Sequence, residues 1–147
     1  MSKKKQKRSY SGKKKRHTQK AQVIIRQNTL EIIATAFGKG SQHDYRLFKE
    51  NYTGMAQNIL CLADTGYLGI TRLHSNSQIP AKKSKLHPLT PEQKAANREL
   101  AGQRIFVEHV IGKLKVFRIL SERYRNRRKR FGLRFNLIAS IYNFELI

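Results

Sequence analysis

The sequence has 147 residues, enough for one domain with a buried core, and its 31 Lys and Arg against nine Asp and Glu give a net charge of +22. A charge of this size opposes compaction by self-repulsion, so we expect a polyanionic partner, and nucleic acid is the first candidate. A membrane is the weaker candidate because the sequence shows no apolar run of about 18 residues, signal peptide or lipidation motif. The single cysteine, Cys61, excludes an internal disulfide.

The first 40 residues are predicted to form a basic segment and a hairpin. Residues 1–20 contain ten Lys or Arg and no acid, and we expect this segment to enter a first strand over 17–26. Residues 30–37 are apolar and precede Gly38-Lys39-Gly40, which predicts a second strand closed by a turn. A short helix is predicted over 44–51, with Asp44 near its start.

The most apolar short run covers residues 58–63 and predicts a central strand covered on both faces. Asp64 ends this strand, at the position where open α/β sheets place ligands. Turn formation by Asp64-Thr65-Gly66 explains the same residues equally well. A short edge strand within 70–79 and a Pro- and Lys-rich connector over 80–91 follow.

A long amphipathic helix is predicted over residues 91–119. Thr90 and Gln93 form a capping box, and the apolar side chains fall in one broad sector that faces a core. Asn97, Arg104, Glu108 and Lys115 lie along one polar ridge of this helix. This ridge is consistent either with a functional carboxylate among cations or with a solvated face that carries an ion pair four residues apart.

The C-terminal part is predicted to be a basic loop over 121–134 and a final helix over 135–147, which completes a single domain spanning 1–147. Asp64 and Glu108 are 44 residues apart, one at a strand end and one on the long helix. Two such carboxylates could converge on hard divalent cations, an arrangement that suits phosphoryl transfer.

Three segments together closely resemble bacterial transposases of the insertion sequence 5 family, which are DDE transposases: YSGKKKRHTQK at 10–20, ADTGYLGI at 63–70, and the segment from Asn97 to Arg130. The resemblance implies an α/β fold with a ribonuclease-H-like core. It also implies that Asp64 is the second and Glu108 the third of three metal-binding carboxylates, with Mg²⁺ or Mn²⁺ as cofactor for cutting and joining DNA ends.

The sequence departs from that family in two places. The family signature Tyr-x2-Arg-x3-Glu-x6-Lys is met by Arg104, Glu108 and Lys115, but Ala101 stands at the tyrosine position. The first carboxylate of the family lies on a strand upstream of the Lys-rich segment, and no Asp precedes Asp44 here. We therefore expect a core truncated at its N-terminal strand, which catalyses DNA strand cleavage and transfer only together with an upstream transposase segment.

The expected partners are the transposon ends and target DNA, the upstream segment or a second copy of the chain, in the cytoplasm at the nucleoid and not at a membrane. The alternative is a non-catalytic basic nucleic-acid-binding protein, which explains the charge but not the carboxylate positions. The residues expected to contact DNA are Lys13, Lys14, Lys15, Arg16, His17, Lys20, Arg104, Lys115, Arg118, Arg123, Arg125, Arg127 and Arg128.

Overall fold

The chain forms two compact units in the computed structural model, which describes residues 10–11, 16–125 and 127–147, with side chains from Thr18 onwards. Unit 1 comprises Met1–His43 with Val107–Ile147, and unit 2 comprises Asp44–Phe106. Both strands and helices occur, so the mixed α/β class predicted from the sequence is confirmed. The ribonuclease-H-like arrangement of the core stays a prediction.

Unit 1 begins with antiparallel strand pairs. The short strands β1 (Tyr10–Ser11) and β2 (Arg16–His17) pair with each other. Strands β3 (Gln19–Ile25) and β4 (Ile32–Lys39) form a longer hairpin with a bulge at Ile24 and Ile25, which confirms the predicted hairpin. The second strand runs two residues further than predicted because Gly38 and Lys39 still pair with β3 instead of forming the turn.

The final helix of unit 1 covers the hairpin. This helix, α4 (Phe131–Phe144), begins four residues earlier than predicted, so the basic loop ends near Arg130 and not at 134. The reason is aromatic packing: Phe131 and Phe135, one turn apart, are both buried and contact the ring of Phe37 on β4 edge to face. The sequence pattern suggested only a basic loop here because charged residues surround Phe131.

The amide of Asn143 on α4 joins the helix to β4 by polar contacts. Its Nδ2 donates to the Ile32 carbonyl at 2.8 Å, and its Oδ1 accepts the Ile32 backbone N–H at 2.9 Å. Ile32 is itself buried in the core of unit 1. One side chain therefore satisfies both backbone groups of a buried strand residue.

Unit 2 begins with helix α1 (Asp44–Asn51), as predicted. Strands β5 (Cys61–Leu62) and β6 (Ser77–Gln78) form a short parallel pair. The prediction of a central strand covered on both faces over 58–63 is wrong, because only Cys61 and Leu62 pair and both Ile59 and Leu60 are exposed. Apolar composition indicated a strand here but not which elements would cover it.

Helix α2 (Pro91–Leu114) is the longest element and contributes to both units. Its start is the predicted capping box, in which Gln93 N–H donates to Thr90 Oγ1 at 3.2 Å and Thr90 N–H donates to Gln93 Oε1 at 3.1 Å. The helix ends at Leu114, earlier than the predicted 119. Val116 and Phe117 close a tighter turn with bonds to carbonyls three residues back, and a separate one-turn helix, α3 (Arg118–Ser121), follows.

No helix among the described residues is both long enough and apolar enough to cross a bilayer.

Replacing Asn143 by alanine is expected to lower the free energy of unfolding by about 1–3 kcal/mol, because both backbone groups of Ile32 then lose their partners. The matched control is Asn136→Ala on the same helix, where Asn136 accepts one exposed bond from the Thr35 hydroxyl. Urea unfolding followed by circular dichroism measures both variants. Equal losses in the two variants would contradict the special role of Asn143.

Candidate active site and nucleic-acid interface

Asp64 caps a tight turn at the carboxyl end of β5. Its backbone is extended, and its Oδ1 accepts the backbone N–H of Gly66 at 2.7 Å, which starts the 3-10 turn Thr65–Tyr67. The turn-forming interpretation of this residue is therefore confirmed. The side chain remains 45% exposed, so a carboxylate fixed by the backbone stays accessible from solvent.

The second oxygen of Asp64 faces a cation on the long helix. Arg104 Nη2 lies 3.7 Å from Asp64 Oδ2, within ion-pair range but beyond a normal hydrogen bond. Among the described residues, Arg104 forms no ion pair with Glu108, so the predicted pair along the helix face is replaced by a contact between distant parts of unit 2. The helix face that bears Arg104 is thus turned towards the Asp64 turn.

Helix α1 packs closely on this turn. A Cβ on Gly66 would stand 2.8 Å from Asp44 Oδ2 and 2.9 Å from Asp64 Oδ1, so both carboxylates lie close to the space that a side chain at this position would fill. Gly69, at φ +101°, lies against the Tyr45 ring, and Phe48 contacts Tyr67 at 6.2 Å between ring centroids. Both glycines are therefore required, one for space and one for its left-handed backbone.

The sequence alone does not indicate that α1 packs on the turn that follows Asp64. The sequence places Asp44 only near the start of a predicted short helix. Residues of this helix contact a turn about 20 positions downstream, a separation that local patterns do not report. Gly66, two residues after Asp64, is the available signal in the sequence, because a glycine also allows a close approach by another chain segment.

Glu108 lies four residues after Arg104 on α2 and is exposed. Residues four apart on one helix share a face, so Glu108 follows Arg104 along the ridge predicted from the sequence. Lys115 is also exposed but comes one residue after the helix ends. Asp64 belongs to unit 2 and Glu108 to unit 1, and their approach to a common metal stays a prediction.

Carboxylate oxygens are the ligands that Mg²⁺ and Mn²⁺ prefer, and Asp64 offers such an oxygen at an accessible position. Within the described ranges, however, no group of three or more His, Cys, Asp or Glu side chains could hold a metal ion. A complete set of three such protein ligands is therefore not found among the described residues.

The predicted DNA-contacting cations differ in whether the structure describes them and in whether they are paired or exposed. Lys13, Lys14 and Lys15 lie outside the described residues, and only the backbone of Arg16 and His17 is described. The Lys20 ammonium donates a hydrogen bond to the Gln42 carbonyl. Arg118 Nε lies 3.7 Å from Glu122 Oε1 in an exposed ion pair, which contributes little to stability. In the segment after α3, three of the predicted cations are exposed: Arg123, Arg125 and Arg127. The fourth, Arg128, is half-buried.

Two further titratable side chains of unit 2, Cys61 and His74, are held by burial and hydrogen bonds. Burial raises the pKa of the Cys61 thiol, and a hydrogen bond with Ser77 partly opposes this shift, so the thiol stays protonated. His74 is fully buried and donates from Nε2 to the Ile59 carbonyl at 2.6 Å. Its Nδ1 has no hydrogen-bond partner within the described part of the chain. The His74 bond joins the segments that precede β6 and β5, and the Cys61–Ser77 bond joins the two strands.

Comparisons with known proteins show which family this chain is similar to. Residues 1–143 match the family described as DDE superfamily endonuclease. A probable transposase for insertion sequence element IS702 from Microchaete diplosiphon is 53% identical over 144 residues, which cover 98% of this chain and 52% of that protein. The chain thus spans about half the length of the curated relative it matches. No solved structure matches the chain.

The resemblance inferred from the sequence is confirmed at the level of the superfamily, whose members generally use divalent metal ions, while the narrower assignment to the insertion sequence 5 family stays a prediction. A match over nearly the whole chain, together with 53% identity to the relative, is far more than a shared motif gives. The chain belongs to the DDE superfamily endonuclease family.

Proposed function

We propose that this chain is the part of a DNA transposase that supplies Asp64 and Glu108 as metal-binding carboxylates for DNA strand cleavage and transfer. The contact between Arg104 and Asp64 is the observation that carries the proposal. Glu108 follows Arg104 by four residues on α2, which is the Arg-x3-Glu spacing of the family signature. A structural ion pair between Arg104 and Asp64 alone does not account for a glutamate at this spacing.

Asp64 and two residues of the ridge, Arg104 and Glu108, then have separate roles. Asp64, fixed by the Gly66 N–H, and Glu108 are the proposed ligands of Mg²⁺ or Mn²⁺. Arg104 orients Asp64 through their ion pair, in which Nη2 lies 3.7 Å from Oδ2. A divalent ion, when bound, supplies Lewis-acid activation of the attacking oxygen and stabilises the leaving oxygen.

The basic segment between α3 and α4, in unit 1, is proposed to bind the DNA backbone. Phosphate contacts need only positive charge and donor groups, and the exposed arginines at 123, 125 and 127 provide both. Planar guanidinium groups also match phosphate geometry better than ammonium groups do. DNA as transposon ends and target, and a second transposase segment or a second copy as protein partner, are proposals for the whole protein.

Nicking of supercoiled plasmid tests the carboxylates. We expect no nicking by the 147-residue chain, and metal-dependent nicking when it is joined to the part of its relative that it does not match. In the joined protein, Asp64→Asn or Glu108→Gln should lower the rate about 1,000-fold or more, since a lost ligand costs several kcal/mol and each 1.36 kcal/mol is tenfold.

The matched control is Glu99→Gln, which changes an exposed glutamate on the same helix. Nicking by the 147-residue chain that Asp64→Asn abolishes would contradict the need for the additional segment. A joined protein that binds DNA but never nicks it would support the non-catalytic alternative.

DNA binding should depend steeply on salt. If about six cations meet phosphates, log affinity falls against log salt with a slope near −5, and each cation removed lowers the steepness by about 0.9. Arg125→Ala should therefore give a shallower dependence of log affinity on log salt. Lys85→Ala, in the connector of unit 2, should leave that slope unchanged. Fluorescence anisotropy of a labelled duplex at several salt concentrations measures this. Affinity that does not change with salt would rule out the proposed interface.

Adding one methyl group at Gly66 should disturb Asp64 directly. In Gly66→Ala the new Cβ would stand within 3 Å of both carboxylates, so Asp64 must move, and we expect about 1–3 kcal/mol of destabilisation together with loss of nicking in the joined protein. Gly102→Ala is the control, because a Cβ there meets nothing within 4 Å and should stabilise α2 by about 0.5–1 kcal/mol. Thermal unfolding and the nicking assay report both effects. A fully active Gly66→Ala protein would contradict the close approach of Asp44.

A further inference from the structure

The segment between α3 and α4 is basic, yet its central aromatic residue is held in place by polar contacts. Tyr124 is half-buried, and its hydroxyl accepts a hydrogen bond from Arg134 Nη1 at 2.7 Å. The same hydroxyl donates to the Arg127 carbonyl at 3.3 Å. The hydroxyl thus accepts with a lone pair and donates with its single proton, so the donor–acceptor chain runs from Arg134 through Tyr124 to Arg127.

The Arg127 carbonyl is also the acceptor of a turn. The backbone N–H of Arg130 donates to it at 3.0 Å, at the start of the 3-10 turn Arg128–Arg130. The Tyr124 hydroxyl and the Arg130 N–H therefore converge on one oxygen. This convergence fixes the backbone at Arg127, in the middle of the exposed arginines.

The ring of Tyr124 anchors these contacts to the core. It meets Phe131 edge to face at 5.1 Å between centroids, and Phe131 in turn contacts Phe37 of β4 at 5.8 Å. Arg134 lies on the second turn of α4, one turn after Phe131, so the guanidinium starts from a rigid element. The guanidinium carbon is 5.9 Å from the Tyr124 centroid, near the limit for a cation–π contact, so the hydrogen bond is the principal interaction.

We propose that Tyr124 is a positioning residue for DNA binding: through Arg134 and Arg127 it holds the basic segment in the conformation that presents its arginines to phosphates. This inference rests on the proposed DNA-binding function. It assigns different roles to two cations: Arg134 donates to the Tyr124 hydroxyl, whereas Arg125 is exposed and forms no hydrogen bond or ion pair within the described residues.

The physical reason is entropy. A segment that is already ordered does not lose backbone freedom when it binds, and ordering one further residue costs about 1–2 kcal/mol. Freeing the segment should therefore weaken binding about tenfold at every salt concentration, because each 1.36 kcal/mol is tenfold. The number of phosphates neutralised in the complex stays the same, so the salt slope should not change.

The experiment uses the full chain and a labelled DNA duplex, with anisotropy measured over a range of salt. Tyr124→Phe removes only the hydroxyl and should give a line parallel to that of the wild type and about tenfold weaker. Arg134→Met removes the bond that Arg134 donates to the same hydroxyl and should also give weaker binding with a parallel line. Combining the two substitutions should add little to either alone. Arg125→Ala should instead give a shallower slope, lower by about 0.9.

Two controls separate positioning from general stability and from a direct contact of Tyr124 with DNA. Tyr142→Phe also removes one tyrosine hydroxyl from unit 1, where it donates to the Leu30 carbonyl, and should lower thermal stability without changing DNA affinity at 25 °C. Hydrogen exchange of the DNA-free protein should show faster exchange at the Arg130 amide in Tyr124→Phe and Arg134→Met only.

Unchanged affinity in Tyr124→Phe, a slope lowered by Arg134→Met, or unchanged exchange in the free protein would overturn the inference. If the wild type shows no salt-dependent DNA binding, the proposed function fails instead. The exchange measurement on the free protein still tests whether Tyr124 orders the segment.

Discussion

The packing of Phe37 against Phe131 and Phe135 is the interaction on which unit 1 depends. A two-stranded hairpin is marginally stable in water by itself, and the described strands form no larger sheet. Stability therefore has to come from the helix that covers the hairpin, and the three rings form edge-to-face contacts between the two elements. Gly132 permits this contact, because a Cβ there would stand 2.8 Å from the Phe37 ring. A chain with a charge of +22 needs such concentrated apolar contacts to offset repulsion among its cations.

Unit 2 is arranged around one turn in a comparable way. Asp64 takes its orientation from the Gly66 N–H, and the position of Gly66 in turn depends on Asp44 and the aromatic side chains of α1. Arg104 adds a contact from α2 to the same carboxylate. The accessible oxygen of Asp64 is thus determined by three elements, although the strand that precedes it has only two residues. Preorganisation of this kind gives a carboxylate a fixed direction before any ligand arrives.

Local signals predicted local structure well and distant contacts poorly. The Thr90 capping box, the early hairpin and helix α1 follow from residues adjacent in the sequence, and all three are confirmed. The early start of α4 at Phe131 and the exposure of Ile59 depend on which segments pack together, which periodicity does not encode. For the site, family resemblance indicated Asp64 and Glu108, but not that Asp44 lies beside Gly66, since that proximity arises from the fold.

The two hydrogen bonds between Asn143 and Ile32 have a consequence for contacts between molecules. A strand at the margin of a small sheet offers unpaired N–H and C=O groups, on which a strand of another chain can add and begin aggregation. At Ile32 both groups are already bonded to the amide, so an incoming strand would have to displace a side chain anchored on α4. The residue that attaches the helix thereby also protects this strand from edge-to-edge association. In a protein whose sheets are this small, such protection at a single buried position limits the registers in which two copies could join.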